Sequence, residues 1–161
     1  MEDVHQGVDA TATLRALYPR LRGFAAVVAP LEMEPDDLVQ EALARVLASP
    51  SWPEIVDIEA YTRRTMVNLA SNERRRLGRA RAARQREVVD VSFVHEYPSD
   101  VADLDRLSPV TRALLCLVVL EGWAVADAAV ACGCTALAAR ARLSRARRQL
   151  RDVIESEPYD E

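Results

Sequence analysis

Apolar residues in this 161-residue chain recur mainly at helical spacing. Leu14, Leu17, Leu21 and Phe24 with Ala25 share one side of segment 14–28, which predicts an amphipathic helix broken or kinked at Pro19. Pro30 and Pro35 bracket a short loop. A second helix is expected over 36–47, with Pro35 at its start and Asp36 and Asp37 in the first turn, where acids meet the positive end of the helix dipole. Ser49 to Pro53 reads as a loop. The third helix, 58–76, is the most strongly patterned: Thr62, Met66, Leu69 and Ala70 fall on one arc, with Leu77 just beyond.

No periodicity holds across 77–103; its valine-rich stretch has no second strand to pair with. Pattern returns at Ser108-Pro109, an N-cap followed by a first-turn proline, and predicts a helix to Glu121 stopped by Gly122. A short helix over 124–132 ends at Gly133, and a long one follows from Thr135 or Ala136 to Ile154, with Ala139, Leu143, Ala146, Leu150 and Ile154 as its apolar stripe. Short helix, glycine turn, arginine-bearing helix is a helix-turn-helix pattern. The expected fold is all-α: one small helical domain over 10–78, a flexible linker over 79–103, a second helical domain over 104–154 and an acidic tail over 155–161. The acidic part of the linker is expected to follow a nucleic-acid path.

Charge changes this picture from two helical domains to two basic ones. The net charge of −4 hides strong segregation. Residues 1–60 carry 4 Arg against 11 acids, 61–86 carry 9 Arg against one acid, and 87–105 hold 6 acids and no Arg. Residues 106–152 return to 8 Arg against 3 acids. Two basic segments flanking an acidic spacer point to two contacts with a polyanion, nucleic acid foremost.

The basic residues share helical faces. Arg64, Asn68, Ser71, Asn72 and Arg75 oppose the apolar arc of the third helix. Arginine offers a fork for phosphates, and asparagine donates to and accepts from a base edge. On the last helix Arg140, Ser144, Arg145, Arg148 and Arg151 lie opposite the stripe, with Arg142 and Arg147 flanking it; phosphate contact outweighs base readout there.

Composition limits the rest. The longest apolar run, 113–120, is too short to span a bilayer, and the acidic N-terminus is not a secretory signal, so a cytoplasmic protein without membrane partners is expected. Cys116, Cys132 and Cys134 should then be reduced. Cys132 and Cys134 with Cys116 and His95 match no common zinc spacing, and small buried thiols are the favoured reading, so no metal or other cofactor is expected. With two histidines, no glycine-rich phosphate loop, no Ser/His/Asp set and no paired catalytic carboxylates, no enzymatic role is expected.

Three segments together resemble an extracytoplasmic-function (ECF, group IV) sigma factor of bacterial RNA polymerase, of the sigma-70 family. Asp36-Asp-Leu-Val-Gln-Glu41 is similar to the family's DDLVQ-type segment of region 2. Glu59-Ala-Tyr-Thr-Arg-Arg-Thr-Met-Val-Asn68 is similar to the end of that region in an actinobacterial branch. Leu107-Ser-Pro-Val-Thr-Arg112, Gly133-Cys134 and Arg142-Leu-Ser-Arg-Ala-Arg147 look like region 4. The resemblance implies that Asp36, Asp37, Leu38, Val39 and Gln40 dock on the clamp helices of core RNA polymerase. It implies that the loop 51–59 and Asn68 hold a base flipped from the −10 element, with Arg64 and Arg74 to Arg76 along the backbone. It further implies that the helix from Thr135 enters the −35 major groove and that region 4 touches the polymerase flap. Core polymerase and promoter DNA are the expected partners, with an anti-sigma factor a further one. The chain departs from the family pattern at Leu137-Ala-Ala-Arg-Ala141, where hydroxyl-bearing residues are usual, and at Asn72, often an Asp. Two other readings stand beside this one: a stand-alone helix-turn-helix regulator, which leaves 36–76 without a role, and a degenerate sigma-like protein that binds polymerase or an inhibitor without reading a promoter.

Overall fold

The computed structural model describes residues 3–51, 54–85, 104 and 106–156. Among the described residues six helices follow in order: α1 (Asp3–Val28), α2 (Pro35–Leu47), α3 (Ile58–Gln85), α4 (Pro109–Leu115, continued by one π turn at Cys116–Leu120), α5 (Val125–Ala131) and α6 (Ala136–Ser156). The fold is all-α, as the periodicity predicts. The linker from Arg86 to Asp103, the loop residue Trp52 and the tail beyond Ser156 lie outside the described residues.

Local chemistry sets the ends. Pro35 opens α2 at a position whose N–H would be unbonded anyway. Ser108 caps α4, its Oγ accepting from the Thr111 N–H at 3.2 Å. Gly122 (φ 72°) and Gly133 (φ 68°) take left-handed backbone that ends the segments before them. The Thr135 hydroxyl accepts from the Ala138 N–H at 3.2 Å and caps α6.

Two helices differ from expectation in extent, and a third in its winding. α1 starts at Asp3 and continues without a break through Pro19. Pro19 is exposed, so the bond it removes lies on the solvent side, while Leu21, Phe24 and Val28 anchor the helix beyond it. α3 continues past Arg76 to Gln85, taking in the first residues expected in the linker. Alanine and arginine dominate that extension, and both favour helix; Arg81 also pairs with Glu32. The helix from Pro109 finishes in a π turn, with the Glu121 N–H bonded to the Cys116 carbonyl at 3.0 Å.

Leu21, Phe24, Val28, Leu38, Val39, Ala42, Met66, Val67 and Ala70 fill the space among α1, α2 and α3. Leu114, Leu117, Ala128, Ala139 and Leu143 fill that among α4, α5 and α6. The two fillings merge into one buried cluster, because α4 packs on α1 and α3, and α5 packs on α3. Arginines tie the seam: Arg112 Nη2 donates to the Val28 carbonyl at 3.1 Å, and Arg74 donates to the carbonyls of Leu107 and Arg106.

Candidate nucleic-acid and partner interfaces

On α3, burial of Thr62, Arg63, Met66, Val67 and Ala70 turns Arg64, Asn68, Asn72 and Arg75 outward, all exposed. Arg75 is braced along the helix: Nε donates to the Ser71 carbonyl at 3.2 Å and Nη2 to Asn72 Oδ1 at 3.1 Å. That leaves the Asn72 amide nitrogen as its outward donor. Arg74 and Arg76, which the family resemblance sets along the strand, are engaged elsewhere. Arg74 is turned to the carbonyls before α4, and Arg76 is paired with Glu73 at 2.6 Å.

At the start of α3 a cavity of about 370 Å³ lies among Ile55, Val56, Asp57, Tyr61 and Arg64, with Val130 and Ala131 of α5 on its far side. Asp57 Oδ1 accepts from the Ala60 N–H at 2.9 Å, fixing the loop that forms the cavity's near wall. Gly133 approaches the same arginine so closely that a Cβ there would sit 3.3 Å from Arg64 Nε. Its missing side chain thus lets the turn after α5 settle on the arginine face of α3.

The α2 segment divides into core and surface. Leu38 and Val39, expected to meet a partner, are fully buried and pack among α1 and α3. The 3.6-residue turn that buries Leu38, Val39 and Ala42 leaves Asp37, Gln40 and Glu41 exposed. Asp36 is taken up within the fold: Oδ1 accepts from Tyr18 Oη at 2.8 Å and from Arg22 Nε at 3.0 Å. The tyrosine hydrogen bond, then Arg22, holds its carboxyl below the usual range, while the same bond raises Tyr18.

On α6, Ala139, Leu143 and Ala146 are buried as the stripe predicts, and Leu150 is half-buried. Arg140, Ser144, Arg145 and Arg148 are exposed. Arg140, Arg147, Arg148 and Arg151 converge with Ser144 and Val125 on a cleft of about 420 Å³, with no acid among its lining residues. Like charges gathered around one concavity focus positive potential and favour an anionic occupant.

The residue that sequence reasoning missed is Arg63. Its side chain is 1 % exposed, between Glu59 (Nη2 to Oε1, 2.6 Å) and Glu121 (Nη1 to Oε2, 2.8 Å). Its Cζ lies 5.0 Å from the ring centre of Phe24 and 5.3 Å from that of Trp123. Arg20 reaches the other oxygen of Glu59 at 3.1 Å. The sequence signal was available: position 63 lies on the helical wheel among Met66, Val67 and Ala70, all buried.

The three cysteines are free. Burial pushes Cys116 up, and pushes Cys132 up to about 12, so these two are thiols at neutral pH. Among the described residues no group of His, Cys, Asp and Glu is placed to hold a metal ion, and no helix is long and apolar enough to cross a membrane.

Against known proteins, the family model described as Sigma-70 region 2 matches residues 13–80, and that described as Sigma-70, region 4 matches 104–150. The ECF RNA polymerase sigma factor EcfG of Rhodopseudomonas palustris (strain TIE-1) is 31% identical over 154 residues, spanning 86% of this chain and 81% of the relative. The fold superposes on the sigma factor RpoE of Bartonella quintana, solved in complex with the anti-sigma factor NepR, with a TM-score of 0.69 at 24% identity, covering 93% of this chain and 99% of that one.

Proposed function

The chain belongs to the extracytoplasmic-function branch of the sigma-70 family, and on that premise we propose that it directs core RNA polymerase to promoters by opening a −10 element with α3 and docking a −35 element on α6. The observation that carries this reading is the pair of outward basic faces, Arg64/Asn68/Asn72/Arg75 on one helix and Arg140/Ser144/Arg145/Arg148 on another. One face alternates guanidinium with amide and suits a single strand whose base edges are open. The other gathers guanidinium groups on a helix-turn-helix and suits a duplex backbone.

The cavity beside Tyr61 and Arg64 has the size and position for one extruded base, with Asn68 a turn farther along the helix. Extrusion costs a few kcal/mol, which contacts in the cavity must return. Val130 and Ala131 also wall that cavity, so a strand entering it requires α5 to withdraw from α3. The packed arrangement is therefore the silent form, and core polymerase draws the two helical groups apart. Docking on the clamp helices falls to the exposed Asp37 and Gln40, and a flap contact to the α4–α6 unit. An anti-sigma protein, the kind of partner seen on the Bartonella relative, would act by holding the silent form.

Run-off transcription with core polymerase on a genomic DNA library tests the proposal. Specific starts that require both core enzyme and this protein are the expected result. Duplex binding by the protein alone, with no transcript, would instead mark a stand-alone regulator.

A further inference from the structure

The outward side of the first turns of α6 carries an apolar pair beside Arg140. Leu137 is 77 % exposed, and Ala141, one turn on, is exposed as well. An exposed leucine is ordinary on a protein surface; its place makes this one informative. In a helix-turn-helix the first turns of the second helix face the base edges. Here those turns have little with which to hydrogen-bond them. Leu137, Ala138 and Ala141 carry no side-chain donor or acceptor, and the Thr135 hydroxyl is occupied by the Ala138 N–H at 3.2 Å. Arg145 is drawn back along the helix, its Nε donating to the Ala141 carbonyl at 3.2 Å. Arg140 lies in these same turns but lines, with Ser144, Arg147, Arg148 and Arg151, the cleft of about 420 Å³, a place for phosphates that would set the register of the helix on the duplex; Arg142 lines a separate cleft with Arg145. In the major groove an apolar side chain distinguishes one group above all, the C5-methyl of thymine.

We infer that Leu137, with Ala141 beside it, reads the −35 element through thymine methyl groups, with hydrogen-bond readout playing the lesser part. The inference rests on the −35 role proposed for α6. Its test removes the methyl and nothing else. On a promoter mapped by run-off transcription, thymidines of the −35 element are replaced one at a time by deoxyuridine, and transcription is measured with subsaturating holoenzyme. Loss of about fourfold is expected for each contacted methyl, the worth of burying one such group. Deoxyuridine in the spacer should have no effect. Leu137→Ser should transcribe thymidine and deoxyuridine templates equally, below the parent level. Arg148→Ala should weaken both equally and keep the parent's preference. Equal use of both templates by the parent protein overturns the inference while leaving the sigma role intact, as does an unchanged preference in Leu137→Ser. Absence of a specific transcript on the natural template overturns the sigma role and the inference together.

Discussion

Arg63 of α3 and Glu121, at the end of the π turn after α4, form an ion pair at 2.8 Å across the seam between the two helical groups. The arginine is 1 % exposed and the glutamate 28 %. A buried guanidinium without its partner is costly, so this pair makes the packing of α4 on α3 conditional on a charge that α4 itself delivers. Trp123, two residues on, closes over the same guanidinium.

Glu121→Ala should therefore loosen the seam more than it damages either group. Glu59 remains to neutralise Arg63, and Glu121 is partly solvated, so the expected cost is about 1–3 kcal/mol, below that of orphaning a fully buried charge. Small-angle scattering should show a larger radius of gyration, and urea unfolding a lower midpoint. An unchanged scattering profile together with an unchanged midpoint would remove the pair from the forces holding the seam.

The helices themselves were legible because 3.6-residue spacing and caps are local. Pro35, Ser108 and Gly133 stand where α2, α4 and the turn before α6 need them. The arginine faces of α3 and α6 were legible for the same reason. What escaped was set by contacts distant in sequence. Arg63 reads as one more basic residue until Glu121 and Trp123 are brought to it from the other half of the chain. The motif groups Leu38 and Val39 with Asp37 and Gln40, whereas their spacing with Ala42 and Val46 aligns them with the core. Arg74 left the phosphate-facing cluster because the carbonyls before α4 lie within its reach. Proline signalled a break at 19 because the penalty it carries depends on which side of the helix loses its bond.

The division of α2 into core and surface predicts two separable phenotypes. Leu38→Ala should lower stability by about 2–5 kcal/mol, the range for emptying a buried leucine site. Asp37→Ala with Gln40→Ala should leave the melting temperature nearly unchanged and weaken association with core polymerase. Unchanged affinity in the double variant would place the docking surface elsewhere.

Asp36 gives the fold an acid-sensitive joint. Its folded-state pKa lies below the ordinary value of 3.8, chiefly through Tyr18, so its contribution is present above that value and is lost as pH falls through the lower, folded one. Tyr18→Phe removes the main cause while keeping the ring. The Asp36 carboxyl, followed by NMR titration, should then move up toward its ordinary range, and the variant should lose less stability on acidification. An unmoved titration would show that Arg22 suffices.

Cys132 should behave as an inert thiol. Burial raises it from 9.0 to about 12, so at pH 8 only about one molecule in ten thousand carries the thiolate. Iodoacetamide at pH 8 should label it slowly in the native protein and at the ordinary rate in denaturant. The raised value also means stability is complete below pH 9.0 and declines as pH rises toward about 12. Rapid native labelling would show that the helix-turn-helix core opens readily.

The outward face of α3 carries the most direct prediction for promoter opening. Asn68 is exposed and presents an amide able to pair with a base edge, whereas Arg75 is braced against Ser71 and Asn72 and presents charge. The two should therefore fail differently. Asn68→Ala should lose discrimination at a single −10 base, at about 1–3 kcal/mol, with little change in salt dependence. Arg75→Ala should weaken binding to all sequences alike and flatten the dependence of affinity on salt, because one phosphate contact fewer releases fewer counterions. Permanganate footprinting of a mapped promoter reads the first effect as lost unpairing of specific thymines, and titration at several salt concentrations reads the second. If the Asn68 variant opens the same promoter with the parent's base preference, the role proposed for Asn68 falls, and Tyr61 and Arg64, which line the cavity itself, are the next to test.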